Sequence, residues 1–184
     1  MWLVVLLPTN IFDHARSVKE LKSMSIPVWQ PYLSKHKRQR THLGEFECES
    51  FEIPHNGCPN VGYLIRVDGT TILYMTDMEY CPYDLSTQGI NVALVELNYQ
   101  SDRITEMDSH RQHTVLGHAS ETTTIEFLST IKKNLRKVIL CHMSKSGALD
   151  RDLAMAHIRE VIPEYIGVRW ARPGEEVDIS EIPF

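Results

Sequence analysis

Residues 2–14 read Trp2-Leu3-Val4-Val5-Leu6-Leu7-Pro8-Thr9-Asn10-Ile11-Phe12-Asp13-His14. The unbroken apolar run over 2–7 is the pattern of a strand covered on both faces. Asp13 then suits the N-cap of a helix over residues 14–24, where Val18, Leu21 and Met24 recur at helical spacing. An aspartate–histidine pair between a buried strand and a helix start stands where a rigid sheet presents binding groups. The placement repeats downstream. His55 follows an alternating run over 46–53, Asp77 follows 71–75, and His142 ends 138–141. Imidazole nitrogen and carboxylate oxygen are ligand types for zinc or manganese, and an open position on such an ion activates water.

The rest of the chain alternates between strand and helix patterns. Residues 26–29 read as a short strand, and 31–40 as a polar helix or loop. Residues 63–67 and 71–75 flank Asp68-Gly69, a strong hairpin signal. Residues 92–97 form another buried run. Ser120 caps a helix over 120–135, 138–141 is a strand, 150–162 a helix and 168–171 a last strand. This order predicts an α/β layered protein with the sheet inside and helices outside.

Composition narrows the classes. A chain of 184 residues suits one domain, and 42% hydrophobic with 23% charged residues is ordinary for a globular protein. A net charge of -5 gives no global attraction to nucleic acid. The basic tract over 35–40 is a local exception, facing either an anionic substrate or water. Four cysteines (Cys48, Cys58, Cys81, Cys141) without C-x-x-C spacing fit reduced thiols in a cytoplasmic protein. The N-terminal run has no basic leader and is too short to span a bilayer, so no membrane role is expected.

With these motifs in order, the chain resembles the metallo-β-lactamase fold superfamily, in its phage and bacterial nuclease or phosphodiesterase branch. The segment Thr9-Asn10-Ile11-Phe12-Asp13-His14 resembles the HxHxDH motif, and Pro54-His55-Asn56 the next metal-binding histidine. Tyr74-Met75-Thr76-Asp77 is similar to the strand ending in a metal-bridging aspartate. Gly117-His118-Ala119-Ser120 and Cys141-His142-Met143-Ser144 resemble the two late motifs.

The resemblance implies an αββα sandwich, here lacking its first N-terminal strands, with two metal positions. The first takes the HxH pair and His55, but Thr9 and Ile11 replace that pair. The second takes Asp13, His14 and His142, with Asp77 bridging both. His118 is implied on the substrate side, near a scissile phosphate or as proton donor, with Asp13 beside it as a catalytic group. An isoleucine has no lone pair to donate and a threonine is a weak ligand, so the expectation is one zinc or manganese ion per chain, or none. The shortened N-terminus leaves a sheet edge whose backbone groups need a partner, so a homodimer through residues 1–7 is expected.

Each residue also has an ordinary reading. Asp13 serves as a cap, His14 fills a first helical turn, and His55 and Asp77 serve turns. His142 reads as a buried histidine bonded to backbone, and His118 as an exposed helix start. Arg111, with His110 and His113, either grips phosphate oxygens or forms a solvated loop. Asn98 follows strand 92–97 and is placed toward substrate. Cys58, Cys81 and Cys141 lie near His55, Asp77 and His142, as substitute thiolate ligands or as buried reduced thiols. Two function classes follow. One is a metal-dependent hydrolase of anionic phosphodiesters, a nucleotide or nucleic acid. The other is an inactive relative that binds a nucleotide, nucleic acid or protein.

Overall fold

A computed structural model describes residues 5–6, 8–9, 16–104, 117–144 and 148–179. Within them the backbone of a mixed sheet is set by one hairpin. Strands β5 (Val61–Val67) and β6 (Thr70–Met75) pair antiparallel, with Val67 opposite Thr70. The turn residues Asp68 and Gly69 sit at φ 47° and 72°. Both values are the left-handed ones that a two-residue type I′ turn requires. The Asp-Gly expectation therefore holds.

From this hairpin the sheet grows in two directions. On one side, β5 pairs antiparallel with β4 (Phe46–Glu52), and β4 with β3 (Gln39–Leu43). On the other, β6 pairs parallel with β7 (Val92–Glu96), β7 with β8 (Lys137–Cys141), and β8 with β9 (Gly167–Trp170). The seven strands thus lie in sequence order. Parallel neighbours need crossovers: a loop over residues 76–91 supplies the one from β6 to β7, and helices supply the other two. A short helix α2 (Ser101–Ile104) and α3 (Glu121–Ile131) lie between β7 and β8, and α4 (Arg151–Val161) lies between β8 and β9. The cap expected at Ser120 is present, and α4 has one as well. Ser120 accepts from the backbone of Thr123, and Asp150 from Asp152 and Leu153.

Each face of the sheet is covered. Phe127, Leu128 and Ile131 of α3, with Ala154 and Ile158 of α4, pack on Leu64, Leu73, Val95 and Leu140. The opposite face carries Val61 and Tyr63, against which Leu6, Val18, Val28 and Trp29 pack. Those residues belong to α1 (Val18–Ser23) and to a two-stranded parallel sheet of β1 (Val5–Leu6) and β2 (Val28–Trp29). The result is an αββα sandwich with a second sheet of two strands among the described residues. One close approach makes the larger sheet fit. Gly62 stands opposite Phe51, and a Cβ on Gly62 would lie 2.7 Å from that ring.

The sequence reading misses β3. Residues 31–40 form a 3-10 turn (Pro31–Leu33) and then enter an edge strand rather than a helix. That strand is polar, so no apolar alternation marks it. Cross-strand charge holds it instead. Buried Glu49 meets the guanidinium groups of Arg38 at 2.9 Å and Arg40 at 3.0 Å. Burial alone would raise the Glu49 carboxyl. Hydrogen bonds from Arg38 and Arg40 outweigh that and hold it below the usual range.

Candidate metal centre

Strands β4, β6, β7 and β8 all run toward the same edge of the sheet. Their carboxyl ends deliver His55, Asp77, Glu96 with Asn98, and His142 to one place, as open α/β sheets do with binding residues. His118 joins them from the turn that enters α3. The three rings form a row: His55 and His118 have centroids 5.0 Å apart, and His118 and His142 5.1 Å. Two overlapping sets of donor atoms result, His55–Asp77–His118 and Glu96–His118–His142. His118, implied on the substrate side, thus stands in the middle.

The local backbone is under tension here. Asp77 has φ 52° and His142 φ 54°, a region that residues with a Cβ seldom enter. Such conformations cost roughly 1–3 kcal/mol and persist when the surroundings over-determine them. The surroundings are two asparagines. Buried Asn60 donates its amide to the carbonyls of Thr76 (3.0 Å) and Asp77 (2.5 Å). Asn98 donates its amide to the carbonyl of His142 at 2.7 Å, and its backbone N–H to Ala119. Asn98 is 6% exposed. It was expected to face substrate, but its amide is committed to fastening His142 and the His118 turn to the end of β7.

Glu96 is the functional residue that sequence reasoning missed. It is fully buried. Its Oε2 accepts the Met78 backbone N–H at 2.9 Å. Its Oε1 lies 3.1 Å from His142 Nδ1 and 2.7 Å from His118 Nδ1. A buried carboxylate is tolerated when compensated in this way. The available signal was a charged residue inside the apolar run Leu94-Val95-Glu96-Leu97.

These contacts bear on whether an ion fits. His55 Nδ1 lies 2.9 Å from the carbonyl of Gly117, which can only accept, so Nδ1 donates there and Nε2 is the nitrogen left for a ligand. His142 Nδ1 is likewise turned to Glu96. Ligating histidines are oriented by just such partners on the second nitrogen. His142 Nε2 then faces Asp77 Oδ1 at 3.1 Å. Two lone pairs so close repel unless a cation or a second proton on His142 lies between them. The spacing resembles the edge of a coordination shell with bonds of about 2.0–2.1 Å. Neighbouring groups are shifted first by burial and then by the same carboxylates. Burial, then Glu96, pushes the Cys141 thiol up to about 12, and Asp77 adds to the shift. Burial, with Cys141, Asp77 and Glu96, raises the Tyr74 phenol, and burial with Glu79 and Glu96 raises Tyr99. The donor set suits a cation.

The remaining sequence candidates divide. Thr9 is buried, bridged to Asn60, and donates its hydroxyl to the Pro59 carbonyl at 3.2 Å. Asp13, His14, Ile11, His110, Arg111 and His113 lie outside the described residues. No cysteine enters a candidate metal group among the described residues, and burial keeps the Cys81 and Cys141 thiols protonated near neutrality.

Residues 11–143 match the sequence profile of the β-lactamase superfamily domain, and the chain belongs to that family. Its fold is the metallo-β-lactamase fold. Similar solved structures include the metallo-β-lactamase fold protein YhfI of Bacillus subtilis, with 15% identity and a TM-score of 0.69 over 94% of this chain and 76% of that one. Zn(2+)-bound PqqB from Methylobacterium extorquens has 15% identity and a TM-score of 0.66, over 96% and 73%. A diphosphatase of the PhnP family has 11% identity and a TM-score of 0.55, over 95% and 57%. No curated protein matches the chain by sequence. Among the described residues no helix is long and apolar enough to cross a membrane.

Proposed function

We propose that the chain is a metal-dependent hydrolase of phosphodiesters, working at this edge with one zinc or manganese ion. The observation that carries the reading is the histidine row His55–His118–His142 over Asp77 and Glu96, with the outer two rings oriented through Nδ1. Asp77 and His142, which face each other at 3.1 Å, would hold the ion, with Asp13 and His14 added from the sequence motif, while His55 stands at the first position, which Thr9 and Ile11 leave without its other two ligands. The ion, when bound, supplies a water made nucleophilic at neutral pH.

The chain's own residues do the rest. Asp77 and His142 are held in place by Asn60 and Asn98, so their ligand atoms are pre-positioned. His118 is 17% exposed, so one ring edge reaches a ligand while Nδ1 rests on Glu96. In that position it hands a proton to the leaving alkoxide, and Glu96 balances the charge on its ring. Arg111 is assigned to the phosphate oxygens from the sequence alone. A phosphorus–oxygen substrate is consistent with the diphosphatase relative.

One observation favours a second reading, an inactive relative that binds without turnover: the Thr9 hydroxyl is already engaged by Pro59. The test is the metal content of protein purified without chelator, then cleavage of bis(p-nitrophenyl) phosphate with manganese. Stoichiometric metal and turnover lost in Asp77→Ala support the hydrolase; neither metal nor turnover supports the inactive relative. A homodimer through residues 1–7 belongs to the same proposal, and a monomer in sedimentation at micromolar concentration removes it.

A further inference from the structure

Beside His55 the surface opens into a hollow of about 420 Å³ that the centre itself does not use. Its lining includes Tyr80, Tyr83, Pro54 and Pro59, together with Lys37 and Glu52. Tyr80 and Tyr83 are 50% and 44% exposed. Two large aromatic side chains left half in water next to a candidate ligand need a reason. We propose that this hollow binds a planar heteroaromatic ring, the nucleobase of a nucleotide arm beside the scissile phosphate. The proposal rests on the phosphodiesterase reading and specifies its substrate.

The hollow is built in advance. Tyr83 stands edge-on to Phe51, with centroids 5.7 Å apart and planes at 84°. The loop bearing His55 is tied to the loop bearing Tyr80 by two bonds. Glu79 N–H donates to the Pro54 carbonyl at 2.9 Å, and Asn56 N–H donates to the Glu79 carboxylate. Cys58 N–H closes the first loop on the His55 carbonyl at 2.7 Å. Rigid walls of this kind lower the ordering cost of binding.

The two charged lining residues select the chemistry. The Lys37 ammonium donates to the carbonyls of Tyr32 (2.5 Å) and Ser34 (2.6 Å), which fixes it while leaving a third hydrogen. Glu52 offers only acceptors. A fatty chain would press against both charges without bonding either. A base has apolar faces for the tyrosine and proline walls and an edge of donors and acceptors for Lys37 and Glu52. Since His55 both lines the hollow and belongs to the ligand row, a base seated here places its phosphate toward the ion. Stacking on aromatic side chains is the usual way an unpaired base is held.

The test compares AMP with ribose 5-phosphate, which has the phosphate and lacks the base, by calorimetric titration of the full chain. AMP is expected to bind at least about tenfold tighter. Tyr80→Ala and Tyr83→Ala should bring AMP to the ribose 5-phosphate level and leave ribose 5-phosphate unchanged, while Tyr80→Phe keeps the preference. Equal affinities in the unaltered protein overturn the proposal without reference to any variant. Turnover of bis(p-nitrophenyl) phosphate alongside equal affinities removes the base site alone. If neither phosphate compound binds, saturation-transfer NMR with adenosine decides. Transfer to the base protons supports the site, and its absence overturns it.

Discussion

The two ends of strand β6 have the same backbone geometry for opposite reasons. At one end Asp68 and Gly69 take positive φ because a tight hairpin needs it, and their side chains suit the task. At the other, Asp77 takes φ 52° with no turn motif to favour it, and Asn60, Glu96 and His142 surround it. Local chemistry makes the first end, and distant residues impose the second. Strain of the second kind collects where function is held.

The largest separation between the two ends comes from Asp77→Ala. Phosphodiester turnover should fall at least about 10²-fold, the scale for removing one charged or polar group aimed at the reacting centre. Bound metal, read by elemental analysis, should go with it. His118→Gln should lower turnover by about 10²–10⁴-fold, as for a lost general acid. Metal content that holds identifies His118 as the proton donor; metal lost with turnover makes it a ligand. Asn60→Ala and Asn98→Ala reach the same end indirectly. Each should weaken metal binding by about 10–100-fold, as for lost orienting partners, with about 1–3 kcal/mol lost in denaturant melts. If metal affinity holds while stability falls, the asparagines are merely structural.

The hairpin end should respond in stability alone. Gly69→Ala should cost roughly 1 kcal/mol through its positive φ, with turnover per folded molecule unchanged. A change in metal affinity there would erase the contrast. The smallest effect lies at Glu49, near the hairpin through Arg66 (3.7 Å). Its folded carboxyl sits below its unfolded value. Its contribution is therefore complete above the unfolded carboxylate range and fades as pH falls through the lower, folded value. Melting temperatures from neutral to acidic pH should fall less steeply in Glu49→Gln. The difference should amount to less than about 1 kcal/mol, because Arg38 and Arg40 are largely exposed.

This contrast also explains what could be read in advance. The buried strands, the Asp-Gly hairpin and the cap at Ser120 follow from periods and short-range hydrogen bonding, so they were legible. So was the gathering of His55, Asp77 and His142, because each closes a strand that runs to one edge. Glu96 was not, since one charged residue inside an apolar run names no partner, and its role exists only when β6, β8 and the His118 turn surround it. Asn60 and Asn98 act on carbonyls 17 and 44 residues away. Strand β3 was hidden because its partner, Glu49, gives it charge in place of an apolar pattern.

Gly62 has a reach beyond the packing it relieves. A Cβ there would press the Phe51 ring at 2.7 and 2.8 Å and Met75 at 2.9 Å. Phe51 in turn carries Tyr83, a wall of the hollow beside His55. The contour that an incoming molecule meets is thus inherited from an interior position that no ligand touches. On the nucleobase reading of the hollow, a single methyl group at Gly62 should change ligand choice from inside the sheet, with every surface residue left as it is.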